Sequence, residues 1–143
     1  MITVVLDTNV LIGGTFLDGA DRKLFQMALE GRFETVTSPR LLQEFEWVLE
    51  GKKFHLMHEV ARTIRAGYQA TCRVVTPREV PSVSRDPDDD HVIAAAVEGK
   101  ARYIVSNDSD LLILGQHLGI EIIRPREFLA ILKGAERRGP QIA

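Results

Sequence analysis

The chain has 143 residues, 45% of them hydrophobic and 27% charged, with a formal net charge of −2. That is the length of one domain, apolar enough for a packed core and too apolar for disorder, and its bulk charge does not mark a nucleic-acid binder. No apolar run approaches the roughly 20 residues of a membrane span, Met1-Ile2-Thr3 enters a strand with no basic n-region before it, and a lone Cys72 excludes an internal disulfide, all of which favours a soluble cytoplasmic protein.

Ile2 to Leu6 is β-branched and apolar throughout, as expected of a strand covered on both faces of a parallel sheet. Asp7-Thr8-Asn9 follows it, and Gly13-Gly14 with Asp18-Gly19 reads as a loop. Asp21 can cap a helix to about Glu30, closed by Gly31, and Phe33 to Thr37 reads as a second strand. Ser38-Pro39 supplies an N-cap hydroxyl with proline at the first helical position, and the helix it opens runs to about Glu50 on a stripe of Leu41, Phe45, Val48 and Leu49. A helix over 55–70 and a strand over 73–76 come next, then a proline-bearing loop over 77–85. An Asp-rich helix start leads through Val92 to Val97 into a short strand, Tyr103 to Val105. Asp110 to Leu118 predicts a short helix, Ile120 to Ile123 a fifth strand, and Pro125 to Leu132 a last helix. Alternating strands and helices predict a three-layer α/β/α sandwich with a central parallel sheet of about five strands, a single domain over 1–133, and a flexible polar tail over 134–143.

In such sheets ligands sit beyond the carboxyl ends of the strands, and Asp7 and Asp108 both follow strands. Each acid also has an ordinary reading. Asp7 suits a turn. Glu44, with Leu41 and Val48 at i−3 and i+4, stands at the edge of a buried helix face, where it needs a partner or must snorkel. Asp88, Asp89 and Asp90 are all candidate N-terminal helix acids, though one cap needs one Asp; Asp90 shares a face with Ile93, Ala94 and Val97. Asp108 or Asp110 can cap the next helix. Carboxylates converging on one sheet edge repel unless protonated or shared with a cation, and an all-oxygen set suits Mg²⁺ or Mn²⁺ rather than zinc. Phosphate-loop, dinucleotide, serine-hydrolase and zincin motifs are all missing.

The segments VVLDTNVLIGG, SPRLLQEFEWVL and RDPDDDHVIAAAVEGKARYIVSNDSDLL, in that order and spacing, resemble the PIN-domain ribonucleases, most closely bacterial toxin components of toxin–antitoxin pairs. The likeness spans nearly the whole chain. It implies that Asp7, Glu44, Asp90 and Asp108 are the catalytic and metal-binding acids, with Thr8, Asn9, Ser106 and Asp110 in support. It implies Mg²⁺- or Mn²⁺-dependent hydrolysis of phosphodiesters in single-stranded RNA, a homodimer, and a small antitoxin partner.

Two other classes compete. One is a phosphohydrolase acting on a small phosphate ester, which usually wants a second Asp two residues after the first; Asn9 stands there. The other is a catalytically silent interaction module whose acids bind a structural ion.

Overall fold

The computed structural model describes residues 1–137. Their strands are β1 (Thr3–Leu6), β2 (Glu34–Thr37), β3 (Cys72–Val74), β4 (Tyr103–Val105), β5 (Gln116–His117) and β6 (Ile120–Ile123). They form one mixed sheet in the order β3-β2-β1-β4-β6-β5. All pairs are parallel except β5 with β6, which is antiparallel. The expected parallel sheet is present, with the two-residue β5 added at its edge. The sequence predicts the end of a helix there; Gly115 and Gly119, at φ 76° and 81°, let the chain turn into and out of β5 instead.

The helices are α1 (Thr8–Phe16), α2 (Ala20–Leu29), α3 (Pro39–Glu50), α4 (His58–Gln69), α5 (Asp90–Glu98), α6 (Ser109–Leu114) and α7 (Pro125–Arg137). A 3₁₀ turn over Pro87–Asp89 precedes α5. Alternation along β1 sorts the core into two layers. Val4 and Leu6 pack with Phe25, Phe45, Tyr68 and Phe128 under α2, α3, α4 and α7. Val5 packs on the other face with Val92, Ile93, Ile104 and Leu111, under α5 and α6.

Two expectations about local structure change. Gly13-Gly14 is helical, inside α1, and the glycines serve a close helix crossing: a Cβ on Gly14 would lie 2.5 Å from Phe25 Cβ, and one on Gly13 would lie 2.0 Å from Asp21 Oδ2. The tail expected from Gly134 starts inside α7, which continues to Arg137; the rest of that tail, 138–143, lies outside the described residues. None of the described helices is long and apolar enough to cross a membrane.

Candidate metal centre

The site grows from the pairing of β1 with β4. Their register sets Leu6 opposite Val105, and Asp7 N–H donates to Val105 O at 2.9 Å. The next residues, Asp7 and Ser106, are therefore neighbours at the carboxyl edge. Both are buried. Ser106 Oγ donates to Asp7 Oδ2 at 2.7 Å and accepts from Asp108 N–H at 2.9 Å, so one hydroxyl orients the carboxylate of one strand end and the backbone of the other. Asn9 adds a second tie: its Nδ2 donates to Asp7 Oδ2 at 3.1 Å, and its Oδ1 accepts from Asn107 N–H at 3.1 Å. Asp7 also caps α1 through Oδ1, which accepts from Thr8 N–H at 2.8 Å.

Asp7, Asp89 and Asp108 each offer a carboxylate oxygen, and these oxygens lie within 4.8 Å of one another. Asp89 Oδ2 is buried and has no hydrogen-bond partner. A buried carboxylate oxygen with no donor is costly, and among two other acids it is suited to a cation. Electrostatics agree. The Asp7 carboxyl is pushed up to about 6, first by burial; the Ser106 hydroxyl and Thr8 N–H oppose this, while Glu44 and Asp108 add repulsion. Burial, and then Asp108 alongside, hold Asp89 well above the usual carboxylate range. Acids this close keep a proton unless a cation replaces it.

Glu44 stands at the edge of the same group. Its Oε2 accepts from Thr8 Oγ1 at 3.2 Å, which links α3 to α1 beside Asp7. Its pKa is raised by burial, against the Thr8 hydroxyl. Val48, expected to share the core stripe with Leu41, is instead exposed on the cleft wall, so Glu44 belongs to a cleft rather than to a core boundary.

Asp90 is not with these acids. It is 4% exposed, yet its Oδ1 accepts from Val83 N–H at 3.1 Å and Ser84 N–H at 2.9 Å, tying the loop before the 3₁₀ turn to α5. Its neighbour Asp89 takes the inward place. Asp89 sits at the N-cap position of α5, but its backbone is already helical and its side chain makes no cap bond, which leaves the carboxylate for Asp7 and Asp108. Asp110 pairs outward with Arg85 at 2.8 Å, while Asp108 Oδ1 does the capping, accepting from Asp110 N–H at 2.9 Å.

The acids line a cleft of about 640 Å³ whose lining also includes Asp21, Asp86, Asp88, Phe16, Val48 and Phe54. Oxygen donors alone, converging at a strand end beside an open cleft, can hold a hard divalent cation and bring a phosphate ester to it.

The sequence model of the PIN domain matches residues 3–110, which contain every acid of this group. The chain belongs to the PIN-domain family. That family is one of nucleases. The uncharacterized protein MJ1680 of Methanocaldococcus jannaschii is 28% identical over 141 residues and is matched over 90% of each chain. Two solved structures have a similar fold. The DNA-bound VapBC of Salmonella typhimurium superposes with a TM-score of 0.58 at 17% identity, covering 87% of this chain and 99% of that one. The VapBC2 of Rickettsia felis, bound to a promoter DNA fragment, gives 0.58 at 9% identity, covering 86% and 98%. At those identities the likeness speaks for the PIN fold.

Proposed function

We propose that this PIN-domain protein is a Mg²⁺- or Mn²⁺-dependent endoribonuclease that hydrolyses phosphodiester bonds in single-stranded RNA. The observation that carries the reading is the meeting of Asp7, Asp89 and Asp108 within 4.8 Å, with Asp89 Oδ2 buried and unpaired. These three residues would hold the cation, and Glu44 would stand beside them through Thr8. A divalent cation bound there supplies an activated water and offsets charge on the phosphoryl oxygens.

The chain's own residues do the positioning. Ser106 and Asn9 fix the orientation of Asp7, and Ser106 also fixes the backbone of Asp108. Such supporting contacts hold ligand carboxylates in register before metal arrives. Glu44, half-buried and raised in pKa, is suited to bond a water in the cleft. Asp90 is assigned the loop 83–84 rather than the metal.

The resemblance to toxin components, and the fold shared with VapBC complexes, support a role as the toxin of a toxin–antitoxin pair with a small antitoxin partner and a homodimeric state, acting in the cytoplasm. The deciding experiment incubates the purified protein with labelled single-stranded RNA and, separately, with a phosphate monoester, each with Mn²⁺ or with chelator. Cleavage of RNA alone, lost in chelator, is expected. Turnover of the monoester alone would make the protein a small-molecule phosphohydrolase, and inertness toward both would make it a silent module.

A further inference from the structure

The acidic cleft has an apolar wall that the metal chemistry does not use. Phe16, the last residue of α1, stacks on Phe54 of the loop between α3 and α4, with ring centroids 4.1 Å apart and planes 4° from parallel. Lys53 Nζ lies over the Phe54 ring, 5.5 Å from its centroid. Phe16 is 37% exposed, and all three side chains line the same cleft as Asp7 and Glu44. Lys53 is the cation among the described residues lining it.

Resting on the nuclease reading, we infer that the Phe16–Phe54 stack is a nucleobase subsite: a base of the RNA strand extends the stack over Phe16 while Lys53 meets a backbone phosphate. Three features favour this occupant. A site built only for a phosphate group has no use for an open aromatic face in its cleft, whereas every base offers a π-face, and stacking on an aromatic is sequence-tolerant. A polyanion crossing a cleft lined with carboxylates needs a cation away from the metal, and Lys53 stands beside the stack. The spacing also fits. Asp7 caps the start of α1 and Phe16 ends it, so the helix rise sets their backbones about 13 Å apart along the helix, within the reach of a few nucleotides of extended strand. The subsite would thus hold a base to one side of the scissile bond, and would add affinity without touching the reacting atoms.

The test takes a single-stranded RNA oligonucleotide that the wild type cleaves at one bond and replaces its nucleotides, one at a time, by abasic residues. Wild type should show a penalty of about tenfold or more in KM at a position a few nucleotides to one side of the cut, with kcat little changed. Phe16→Leu should show the same penalty on the intact oligonucleotide and no further loss with the abasic one, while Phe16→Tyr retains wild-type behaviour. Far-UV spectra and the Mn²⁺-induced rise in melting temperature should be unchanged in both variants. A flat abasic profile in wild type would overturn the subsite and leave the stack as a surface for a protein partner, with the nuclease reading intact. Additive losses from Phe16→Leu and the abasic residue would overturn it as well. Failure of wild type to cleave any RNA would overturn the nuclease reading on which the subsite rests.

Discussion

Asp89 and Asp90 are adjacent in sequence and face apart in space. The Asp89 carboxylate meets Asp7 and Asp108, with its Oδ2 unpaired, whereas Asp90 Oδ1 accepts from the backbone N–H groups of Val83 and Ser84 at 3.1 and 2.9 Å. The 3₁₀ turn over Pro87–Asp89 gives way to α5 between them. It ends at Asp89, so the two side chains leave the chain at the junction of two helical pitches.

The pair can be told apart by melting curves. Asp89→Asn replaces a carboxyl already held towards its protonated form by a neutral group of nearly the same shape, and breaks no hydrogen bond at Oδ2, so the metal-free variant should melt at or above wild type. It should lose most of the gain from Mn²⁺, which for a ligand at a hundredfold excess over Kd is about 2.7 kcal/mol. Asp90→Ala should do the reverse. It loses two bonds to a charged acceptor, and a cost of about 2–3 kcal/mol is expected in chelator, with the Mn²⁺ gain retained. Equal behaviour of the two variants would contradict the assignment.

Ser106→Ala tests the support of the metal ligands. The hydroxyl is fully buried, donates to Asp7 and accepts from Asp108 N–H. Its loss frees Asp7 to turn and leaves the Asp108 N–H without that acceptor. A Mn²⁺ affinity weakened roughly 10- to 100-fold is expected, as for other residues that orient metal ligands. Calorimetric titration of the folded variant reads this directly, and an unchanged affinity would remove Ser106 from the site.

The metal-free protein should gain stability as pH falls from 7 to 5. Asp7 has a folded pKa of about 6, above the roughly 3.9 of an unfolded Asp, so the folded state binds more protons in this window. Its contribution is complete below the unfolded value and is lost as pH rises through 6. The full swing for this group is about 3 kcal/mol, at 1.36 kcal/mol per pKa unit. Asp89 works in the same direction. Protons compete with metal for the same oxygens, so the stabilisation by Mn²⁺ should shrink over the same fall in pH. Urea denaturation at pH 5, 6 and 7, with chelator and with Mn²⁺, checks both slopes. A metal-free protein that weakens steadily between pH 7 and 5 would contradict the raised values.

Gly14→Ala should destabilise despite lying inside a helix. An exposed helical glycine changed to alanine gains about 1 kcal/mol from propensity. Here the new methyl would meet Phe25 Cβ at 2.5 Å and Cδ2 at 2.6 Å, and Phe25 is buried under α3 and α4. Overpacking of this kind costs about 1–3 kcal/mol. A lower urea midpoint is expected, and a higher one would mean that α1 and α2 can part freely.

Much of this was legible in the chain. β1, β4 and β6 announce themselves as short β-branched runs, and Ser38-Pro39 marks α3 because an N-cap hydroxyl and a proline at N1 have few other uses; Ser38 Oγ accepts from Leu41 N–H at 3.3 Å. Asp7 directly follows β1 and Asp108 stands three residues past the end of β4, so their place at the carboxyl edge of the sheet was readable, whereas Ser106 entered only through the resemblance to the PIN family. The choice between Asp89 and Asp90 could not be made from a helical wheel. α5 is buried nearly all round, so it has no polar face to fix the phase, and the 3₁₀ turn shifts that phase by an amount periodicity does not record. A signal was available in Asp89 sharing i+3 and i+7 with Val92 and Ala96, both buried. Gly13-Gly14 looked like a loop because composition does not distinguish a flexible glycine from one that admits a neighbouring helix. The aromatic wall was invisible for a simpler reason: Phe16 and Phe54 are far apart in sequence, and nothing local pairs them.

Asp7, Asp89 and Asp108 are proposed as the metal site of a nuclease that cuts RNA. The most direct measurement compares wild type, Asp89→Asn and Asp90→Ala, purified identically, for Mn²⁺-dependent cleavage of one labelled single-stranded RNA at a temperature where all three are folded. Wild type and Asp90→Ala should cleave the same bond, and Asp89→Asn should be inactive. Cleavage by Asp89→Asn at the wild-type rate, or an inactive but folded Asp90→Ala beside an active Asp89→Asn, would contradict the account.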